Sequence, residues 1–434
     1  MSGIGWARGK IDGMDLLTEL EARGLIHDST DREVLAARLS AGPIGVYVGF
    51  DPTADSLHVG HLLGQVGLRR LQMAGHRVFP LAGGATGMVG DPSGRSEERN
   101  LLSREELEHN VSRISSQLER ILDFSPGLSA ATLVNNADWT ADVSLLEFLR
   151  DVGKHVTVSQ MLGKDSVRSR IGSESGLSFT EFSYMLLQAN DFRHLHDVYG
   201  VELQMGGSDQ WGNITAGIDL IRRTSGGSSY GATWPLLTKS DGTKFGKTSS
   251  GAVWLDPDRT TPYQFRQFWL QTDDADVRDR LLRFSLHPLD ELEDLLIRHE
   301  TAPHERLAQR ALAHELTAMV HGETAALAAD AAAQVLFGAD PRSVSAEALT
   351  MVATEIGVIE VSVADAADTA GVLVSAGLAQ SKSDARRTLE GRGFRCNGEP
   401  LEADVDLCAV PTLPGGTLLL QRGRKSHRLL RIFS

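Results

Sequence analysis

Short apolar runs alternate with helical stretches through the first half of the chain, and this order constrains the fold more than any other feature of the sequence. The predicted strands are residues 44–50, 78–82, 133–135 and 202–205. The predicted helices between them include residues 62–74 and 101–122. Strands separated by helices predict a parallel, doubly wound sheet of the Rossmann-like α/β class. Because ligands of such sheets bind beyond the carboxyl ends of the strands, the polar loops there are the candidate site.

The length and composition predict a globular protein with more than one domain. The chain has 434 residues, of which 41% are hydrophobic and 23% charged, and such a length suggests about two to four domains. It contains no run of about 18 apolar residues that could cross a membrane. Residues 1–17 lack the apolar core of a signal peptide. We therefore expect a cytoplasmic protein.

Changes in composition along the chain predict five segments. After residue 262 the strand signals give way to a pattern rich in Ala, Leu, Arg and Glu, and Gly338, Pro341 and Gly357 interrupt that pattern further on. The predicted segments are an N-terminal helical segment (1–40), the Rossmann-like domain (41–250), an α-helical domain (251–340), a linker (341–365) and a small α+β domain (366–434).

The charge is distributed unevenly along the sequence. The formal net charge of −14 is unusual for a protein that binds nucleic acid. Residues 366–434, however, hold ten Lys and Arg against seven Asp and Glu, a net charge of +3, so the rest of the chain carries −17. An acidic body with a basic end fits local contact with nucleic acid, and it fits an ordinary solvated terminus equally well.

The two cysteines do not indicate a metal site. Cys396 and Cys408 have no other cysteine and no pair of histidines near them in the sequence. Their spacing is that of neither a zinc site nor a disulfide framework. We expect free thiols and no protein-bound metal or organic cofactor.

Two short polar patterns are candidates for a ligand site. In the first, His58 and His61 lie three residues apart at the start of a helix, where Ser56 is the predicted N-cap and Gly60 leaves room for a ligand. Imidazoles beside the free N–H groups of a helix N-terminus can bind phosphate. Taken alone, the pattern fits two surface or capping histidines better.

The second pattern lies much later in the chain. Lys244 and Lys247 are three residues apart in a polar, glycine-containing loop and are followed by Thr248. Two such lysines can reach a polyphosphate from a loop. Alone they also fit an exposed loop, but the two patterns together on an α/β chain are a much stronger signal.

The paired patterns resemble the HIGH and KMSKS signatures of class I aminoacyl-tRNA synthetases. The wording around them resembles bacterial-type tyrosyl-tRNA synthetases in particular. The resemblance is highly specific from about residue 40 to residue 250 and looser from there to the end. The stretches that carry it are residues 47–62, 83–94, 135–139, 181–188, 204–213 and 244–248.

The resemblance implies an enzyme that activates L-tyrosine with ATP and loads it onto tRNA(Tyr). It assigns Tyr47 and Asp191 to the tyrosine hydroxyl, and Asp91, Tyr184 and Gln188 to the ammonium group. Tyr184, Gln188 and Asp191 are spaced to share one helix face, which supports a common pocket. Unpaired buried groups around the hydroxyl would penalise phenylalanine.

For ATP, the resemblance implies a separate set of residues with Mg²⁺ carried on the nucleotide. Thr53, His58 and His61 would contact the phosphates from the helix side, and Lys244, Lys247 and Thr248 would close over the departing pyrophosphate. No general base is needed, because the attacking carboxylate is already ionised. The remaining nucleotide residues are Gly49, Asp51, Asn136, Gly207, Asp209 and Gln210.

The end of the chain resembles the small RNA-binding domain of bacterial tyrosyl enzymes, which is shared with a ribosomal small-subunit protein. Residues 377–387 and 397–398 carry this resemblance. It places Lys382, Arg386 and Arg387 on a basic helix face that can follow a phosphate backbone. The family also implies a homodimer that holds tRNA across both subunits.

Three places depart from the usual family wording, namely Asn190, where an aromatic residue is frequent, Gly64 in the first helix, and the looser stretch 391–396. A specialised second copy of the enzyme is therefore an alternative interpretation. Two other readings stay open as well. One is an enzyme of the same fold that adenylylates a different small acid, and the other is a synthetase-derived protein that binds RNA without catalysis.

Overall fold

A computed structural model describes residues 14–93, 102–164, 167–168, 171, 176–238, 240, 245–248, 251–402, 405–423 and 426–433. The chain forms two compact units. The first unit contains Met1–Thr260 and Gln271–Leu312, and the second contains Thr261–Leu270 and Ala313–Ser434. None of the helices in these described residues combines the length and the apolar composition that a membrane span requires.

The first unit is built on a five-stranded parallel sheet with the order β3-β2-β1-β4-β5. Its strands are β1 (Gly45–Phe50), β2 (Arg77–Ala82), β3 (Val134–Asn135), β4 (Val201–Gly207) and β5 (Tyr230–Trp234). From β1 the chain builds outward to β2 and β3 and then returns to the other side of β1 with β4. This reversal lies between β1 and β4, where a doubly wound sheet opens a ligand crevice. The predicted Rossmann-like fold is confirmed.

Helices connect these strands, as the alternating pattern predicts. The described helices of four or more residues in the first unit up to β5 are Leu16–Ala22, Arg32–Ser40, Val59–Met73, Arg104–Ile121, Ala137–Thr140, Leu145–Asp151, Val158–Leu162, Phe179–Tyr199 and Trp211–Thr224. After β5 follow a short hairpin, β6 (Lys247–Thr248) with β7 (Gly251–Ala252), and the helices Asp274–Phe284 and Leu289–Thr301. The four predicted strands and the predicted helices 62–74 and 101–122 are found to within about three residues, whereas β5 and the β6–β7 hairpin were not predicted.

Gly64 allows the Val59–Met73 helix, which we call the histidine helix, to pack closely on the sheet. A Cβ atom at this position would lie 3.3 Å from Cγ1 of Val48 and 3.4 Å from the Trp234 ring. The distance to Val48 is tighter than most side-chain contacts, so a side chain here would require the helix or its neighbours to shift by a few tenths of an ångström. Glycine costs a helix interior about 1 kcal/mol relative to alanine. Close packing therefore explains why glycine stands here.

The second unit has a mixed sheet with the order β10-β9-β11-β12-β8. The strands are β8 (Val358–Ser362), β9 (Phe394–Cys396), β10 (Glu399–Pro400), β11 (Thr417–Arg422) and β12 (Ser426–Phe433). Its helices include Pro262–Leu270, Glu323–Leu336, Ala346–Ile356, Val363–Ala366, Thr369–Ser375 and Lys382–Glu390. The helix Leu307–His321 begins in the first unit and ends in the second. Cys396 and Cys408 are free thiols, and burial raises the pKa of Cys396 to about 12.

The structure differs from the predicted segments in two places. Residues 341–365, predicted as a linker, contain the Ala346–Ile356 helix and strand β8, which pairs in parallel with β12. Pro341 and Gly357 separate short elements of one folded unit. The predicted helical domain is also divided, because residues 271–312 belong to the first unit whereas 261–270 and 313–340 belong to the second.

Candidate active site

A cavity of about 300 Å³ opens beyond the carboxyl ends of β1 and β4. Side chains from both strands, the histidine helix and the Phe179–Tyr199 helix line it. Most residues that the sequence assigns to tyrosine or ATP therefore meet in one place. The predicted residues that line the cavity are Tyr47, Gly49, Asp51, Thr53, His58, His61, Asp91, Tyr184, Gln188, Asp191, Gly207, Asp209 and Gln210.

The deep end of the cavity contains two buried groups that can bind a hydroxyl. Tyr47 is 1% exposed on β1, and its hydroxyl has no hydrogen-bond partner among the described residues. Asp191 is 3% exposed and accepts hydrogen bonds from Nδ2 of Asn136 and Nε1 of Trp139, each at 2.9 Å. A buried unpaired hydroxyl costs about 1–3 kcal/mol. The site is therefore suited to a ligand that offers a polar group to Tyr47.

Burial dominates the electrostatics of this end. It raises the pKa of Asp191 to about 7, against the opposing effect of hydrogen bonds from Asn136 and Trp139. The negative charge of Asp51 raises the pKa of Asp191 further. Burial and the charge of Asp191 hold the pKa of Tyr47 well above its usual value. Near neutral pH, a ligand hydroxyl that donates to Asp191 would favour the ionised carboxylate.

A chain of side-chain hydrogen bonds links Asp191 to the loops after β1 and β2. Asn136 donates to Asp191 and also to Oγ1 of Thr86 at 3.0 Å. Thr86 donates to Asp51 at 2.8 Å, and the hydroxyl of Tyr184 donates to the other oxygen of Asp51 at 2.8 Å. Asn136 is fully buried and does not line the cavity. Its geometry is that of a residue that orients Asp191 and Thr86.

A second group of polar side chains surrounds Gln210 at the side of the cavity. Nε2 of Gln210 donates to Asp91 at 2.7 Å, and Oε1 of Gln210 accepts from Nε2 of Gln188 at 3.3 Å. Asn213 donates to both Gln188 and Gln210, at 3.0 and 3.2 Å. These bonds hold carbonyl and carboxylate oxygens around one part of the cavity, where an ammonium group could bind.

The two histidines cap the helix that carries them. Nδ1 of His58 accepts the backbone N–H of Gly60 at 3.0 Å, and Nδ1 of His61 accepts the backbone N–H of His58 at 3.2 Å. Their rings stack with centroids 4.0 Å apart. The predicted N-cap at Ser56 is wrong, because the hydroxyl of Ser56 instead bonds to Gln117 and to the carbonyl of Leu57. Both histidines nevertheless line the cavity at a helix N-terminus, as predicted.

Backbone hydrogen bonds fasten the segment after β5 to the start of the histidine helix. The N–H of Val59 donates to the carbonyl of Val253 at 3.0 Å, and the N–H of Val253 donates to the carbonyl of Gly246 at 3.1 Å. The next residues, Lys247 and Thr248, form strand β6. The backbone of the second predicted pattern thus lies beside the first. Lys244 lies outside the described residues.

The sequence analysis did not assign several residues that belong to the site. Trp139, Thr86 and Asn213 bond to predicted residues, and all three lie inside the stretches that carry the family resemblance. Their position in those stretches is the sequence feature that could have identified them. Trp254 packs against His58 with ring centroids 6.1 Å apart and has no signal in the sequence. Asn190, the unusual residue beside Asp191, accepts two hydrogen bonds from Arg193 and does not line the cavity.

The predicted RNA-binding residues lie on the Lys382–Glu390 helix of the second unit. Lys382 forms an ion pair with Asp368 at 2.6 Å, and Arg387 contacts Asp384 at 3.3 Å while staying 82% exposed. Arg386 is also exposed. The three side chains therefore remain at the protein surface.

Comparison with known proteins decides the family. The family model for class I tRNA synthetases of the tryptophan and tyrosine type (W and Y) matches residues 39–338. This range contains the whole parallel sheet and every residue that lines the cavity. The chain belongs to the class I tRNA synthetases.

Similar proteins cover almost the whole synthetase. A tyrosine–tRNA ligase of Roseiflexus castenholzii is 51% identical over 423 residues, which are 96% of this chain and 99% of that protein. Another, from Anaeromyxobacter dehalogenans, is 52% identical over 422 residues, again 96% of this chain and 99% of the relative.

Solved structures share the fold of the synthetase. A C-terminally truncated mitochondrial tyrosyl-tRNA synthetase of Aspergillus nidulans is 34% identical with a TM-score of 0.68, over 74% of this chain and 94% of that chain. The tyrosyl-tRNA synthetase of Archaeoglobus fulgidus is 17% identical with a TM-score of 0.54, over 71% of this chain and 99% of that one. The second likeness concerns the fold alone.

The raised pKa of Asp191 makes a prediction about the stability of the synthetase. A carboxyl whose folded pKa exceeds its unfolded value stabilises the fold at low pH, and this contribution is lost as pH rises through the folded pKa. We expect wild-type protein to lose stability relative to Asp191→Asn between about pH 4 and 7, by on the order of 1.4 kcal/mol per pKa unit.

Urea denaturation of both proteins at pH 5 and pH 8 measures this effect. The exposed Asp142→Asn variant serves as the control and should keep a constant difference from wild type. A difference between wild type and Asp191→Asn that does not change with pH would contradict the raised pKa.

Proposed function

We propose that the cavity binds L-tyrosine and ATP side by side and joins them, so that this synthetase acts as a tyrosine–tRNA ligase. It activates tyrosine to tyrosyl-adenylate with release of pyrophosphate and then transfers the amino acid to the 3′ end of tRNA(Tyr). The observation that carries the choice of amino acid is the pair of buried groups at the deep end. Tyr47 and Asp191 both line the cavity there, and the hydroxyl of Tyr47 has no partner among the described residues.

The tyrosine side chain enters the deep end with its phenol toward Tyr47 and Asp191. Phenylalanine has the same ring but no hydroxyl, so it would leave both buried groups without the ligand's hydrogen bonds. That loss costs free energy because both groups are buried. Tryptophan offers its N–H at a different position on a larger ring. The geometry therefore favours tyrosine among the aromatic amino acids.

The ammonium group of tyrosine binds where oxygens of Asp91, Tyr184 and Gln188 face the cavity. Hydrogen bonds from neighbouring residues fix each of these groups, as Gln210 does for Asp91 and Asn213 for Gln188. Asp51, expected to contact ATP, also accepts the hydroxyl of Tyr184. Fixed oxygens around a cation need no reorganisation when the substrate arrives. This end of the substrate is thus held by groups that are already in position.

The nucleotide occupies the open side of the cavity, between the histidine helix and the turn after β4. The helix N-terminus, His58, His61 and Thr53 meet the phosphates. Gly207 lies where a Cβ atom would come within 2.7 Å of Oδ1 of Asp209, so only glycine leaves this carboxylate its place. Asp209 and Gln210 then face the ribose, and Gly49 lines the same part of the cavity. Asn136 does not touch the nucleotide but orients Thr86 through a hydrogen bond.

In the first step, an oxygen of the tyrosine carboxylate forms a bond to the α-phosphorus of ATP, and the bond from that phosphorus to the pyrophosphate oxygen breaks. The protein contributes position and stabilisation of charge. Lys244, Lys247 and Thr248 bind the departing pyrophosphate, and Mg²⁺ arrives with ATP as part of the substrate. In the second step, a hydroxyl of the terminal adenosine attacks the tyrosyl carbonyl and AMP leaves.

Transfer RNA contacts the second unit through Lys382, Arg386 and Arg387. Arg387 is largely exposed, and its guanidinium can bind phosphate oxygens with two parallel hydrogen bonds. The ion pair with Asp368 restricts the position of the Lys382 ammonium group at the protein surface. The cytoplasm, where the tRNA and ATP substrates are found, is the proposed location.

The proposed role of the lysines predicts the effect of Lys247→Ala. Adenylate formation should slow by about 100-fold or more, because charge on the leaving group loses its partner in the transition state. The affinity for tyrosine should stay within about twofold, since the ammonium and phenol sites lie elsewhere. Stopped-flow measurement of adenylate formation and equilibrium dialysis of tyrosine give the two values. The exposed Lys154→Ala variant is the control, and a large loss of tyrosine binding in Lys247→Ala would sink this role.

A homodimer is the proposed assembly. Large apolar side chains are unusually exposed along the stretch from residue 143 to residue 179, and such patches mark interaction surfaces. Leu146 is 79% exposed and Phe179 is 76% exposed. The other exposed apolar residues of this stretch are Val143, Leu145, Leu149, Val158, Leu162 and Ile171.

Sedimentation analysis tests the dimer. We expect a mass of twice 46.9 kDa for wild type and a shift toward a single chain in the double variant Leu146→Asp, Leu149→Asp, because buried carboxylates oppose association. Ile297→Asp, which changes an exposed apolar residue of another helix, should leave the dimer intact. Wild type that sediments as one chain at micromolar concentration would contradict the proposal.

A further inference from the structure

The Asp274–Phe284 helix of the first unit contacts the segment that carries the lysines. Oδ2 of Asp276 accepts the backbone N–H of Ser240 at 3.2 Å. The ring of Phe284 lies 6.2 Å from the ring of Phe245, between centroids. The helix therefore touches this segment on both sides of Lys244.

Arg280 is the residue of this helix that reaches both ends of the segment. One guanidinium nitrogen donates to the backbone carbonyl of Thr238, and the guanidinium carbon lies 4.8 Å from the centroid of the Phe245 ring. The side chain is only 3% exposed, and Asp279 accepts another of its N–H groups at 2.6 Å. The negative face of an aromatic ring attracts a cation, and the attraction is stronger when the cation is desolvated.

The two ends that Arg280 contacts also meet each other. The backbone N–H of Phe245 donates to the carbonyl of Leu237 at 3.4 Å, so the described residues before and after Lys244 lie side by side. Thr238 directly follows Leu237, and we call Leu237, Thr238 and Phe245 the base of the predicted loop. A single guanidinium therefore contacts this base on both sides of Lys244.

The position of Phe245 also affects the position of the Lys247 backbone. Gly246 follows directly and accepts the N–H of Val253, which in turn accepts the N–H of Val59 on the histidine helix. Gly246 has a φ of +82°, a left-handed conformation that fixes the direction of the chain into β6. A displaced Phe245 would thus move the backbone of Lys247 relative to the phosphate site.

We propose that Arg280 is a positioning residue for adenylate formation, which holds the base of the loop so that Lys244 and Lys247 meet the phosphates of ATP. This inference rests on the proposed role of the two lysines. A displacement of catalytic groups by about 1 Å can lower a rate by about 100-fold even when the altered residue touches no substrate. Arg280 acts in this way, through the loop.

Arg280→Gln tests the proposal, because glutamine can keep a hydrogen bond to Thr238 but has no charge to place over Phe245. We expect adenylate formation to slow by about 10- to 100-fold. The rate at saturating ATP should fall, and the KM for ATP should rise. The affinity for tyrosine should stay within about twofold of wild type. Arg280→Lys keeps the charge and should recover part of the rate.

Arg278→Gln is the matched control on the same helix. Arg278 is half exposed and pairs with Glu293 at 2.6 Å, away from the lysine segment. It should form adenylate at the wild-type rate. Phe245→Leu, which keeps an apolar side chain and removes the ring beneath the cation, should reproduce the defect of Arg280→Gln if that variant does not fold.

Comparison with Lys247→Ala tests the positioning role of Arg280 separately from the role of the lysines. If Arg280 acts through the lysines, Arg280→Gln should slow the Lys247→Ala protein much less than it slows wild type. A slow Lys247→Ala beside a fast Arg280→Gln would overturn the positioning role and leave the lysines in place. A fully active Lys247→Ala would overturn both. Equal losses of tyrosine affinity and rate in Arg280→Gln would show a general structural role instead and would also overturn the proposal.

Discussion

The carboxylate of Asp191 lies at a closed end of the cavity, and the surrounding side chains are arranged to keep it there. A buried carboxylate requires hydrogen-bond donors, which Asn136 and Trp139 provide from the N-cap and the first helix after β3. Asn136 also donates to Thr86, which donates to Asp51. Asp51 accepts a second hydrogen bond from Tyr184, which lies on the same helix as Asp191. Because the network closes on itself, one side chain cannot move without disturbing the others.

The two halves of the cavity are organised by different kinds of interaction. The half that we propose binds the amino acid depends on side chains that orient one another. The half that we propose binds the nucleotide depends on backbone groups, namely the capped N-terminus of the histidine helix and the carbonyls of Gly246 and Val253. Backbone bonds hold the described part of the lysine segment at Gly246. Contacts from a separate helix, above all those of Arg280, hold it at Thr238 and Phe245.

Sequence patterns predict the parts that depend on local composition. The parallel strands are buried on both faces, so they are apolar runs that can be recognised singly, and the family stretches identify the residues lining the cavity. The N-cap at His58 could not be predicted, because imidazoles rarely cap and Ser56 is drawn away by Gln117. Strand β8 was missed because it is short and gains stability only by pairing with β12. Nothing in a helical pattern distinguishes Arg280 from Arg278, since only tertiary contacts separate them.

The central claim is that Tyr47 and Asp191 recognise the hydroxyl of tyrosine, and amino-acid-dependent exchange of pyrophosphate into ATP tests it most directly. The measurement compares kcat/KM for tyrosine and phenylalanine in wild type and in Tyr47→Phe. A lost neutral hydrogen bond should lower the value for tyrosine by about 3- to 15-fold. Phenylalanine, which leaves the hydroxyl of Tyr47 unpaired, should lose nothing, so the preference for tyrosine falls. An unchanged preference, or equal losses with both amino acids, would contradict this account.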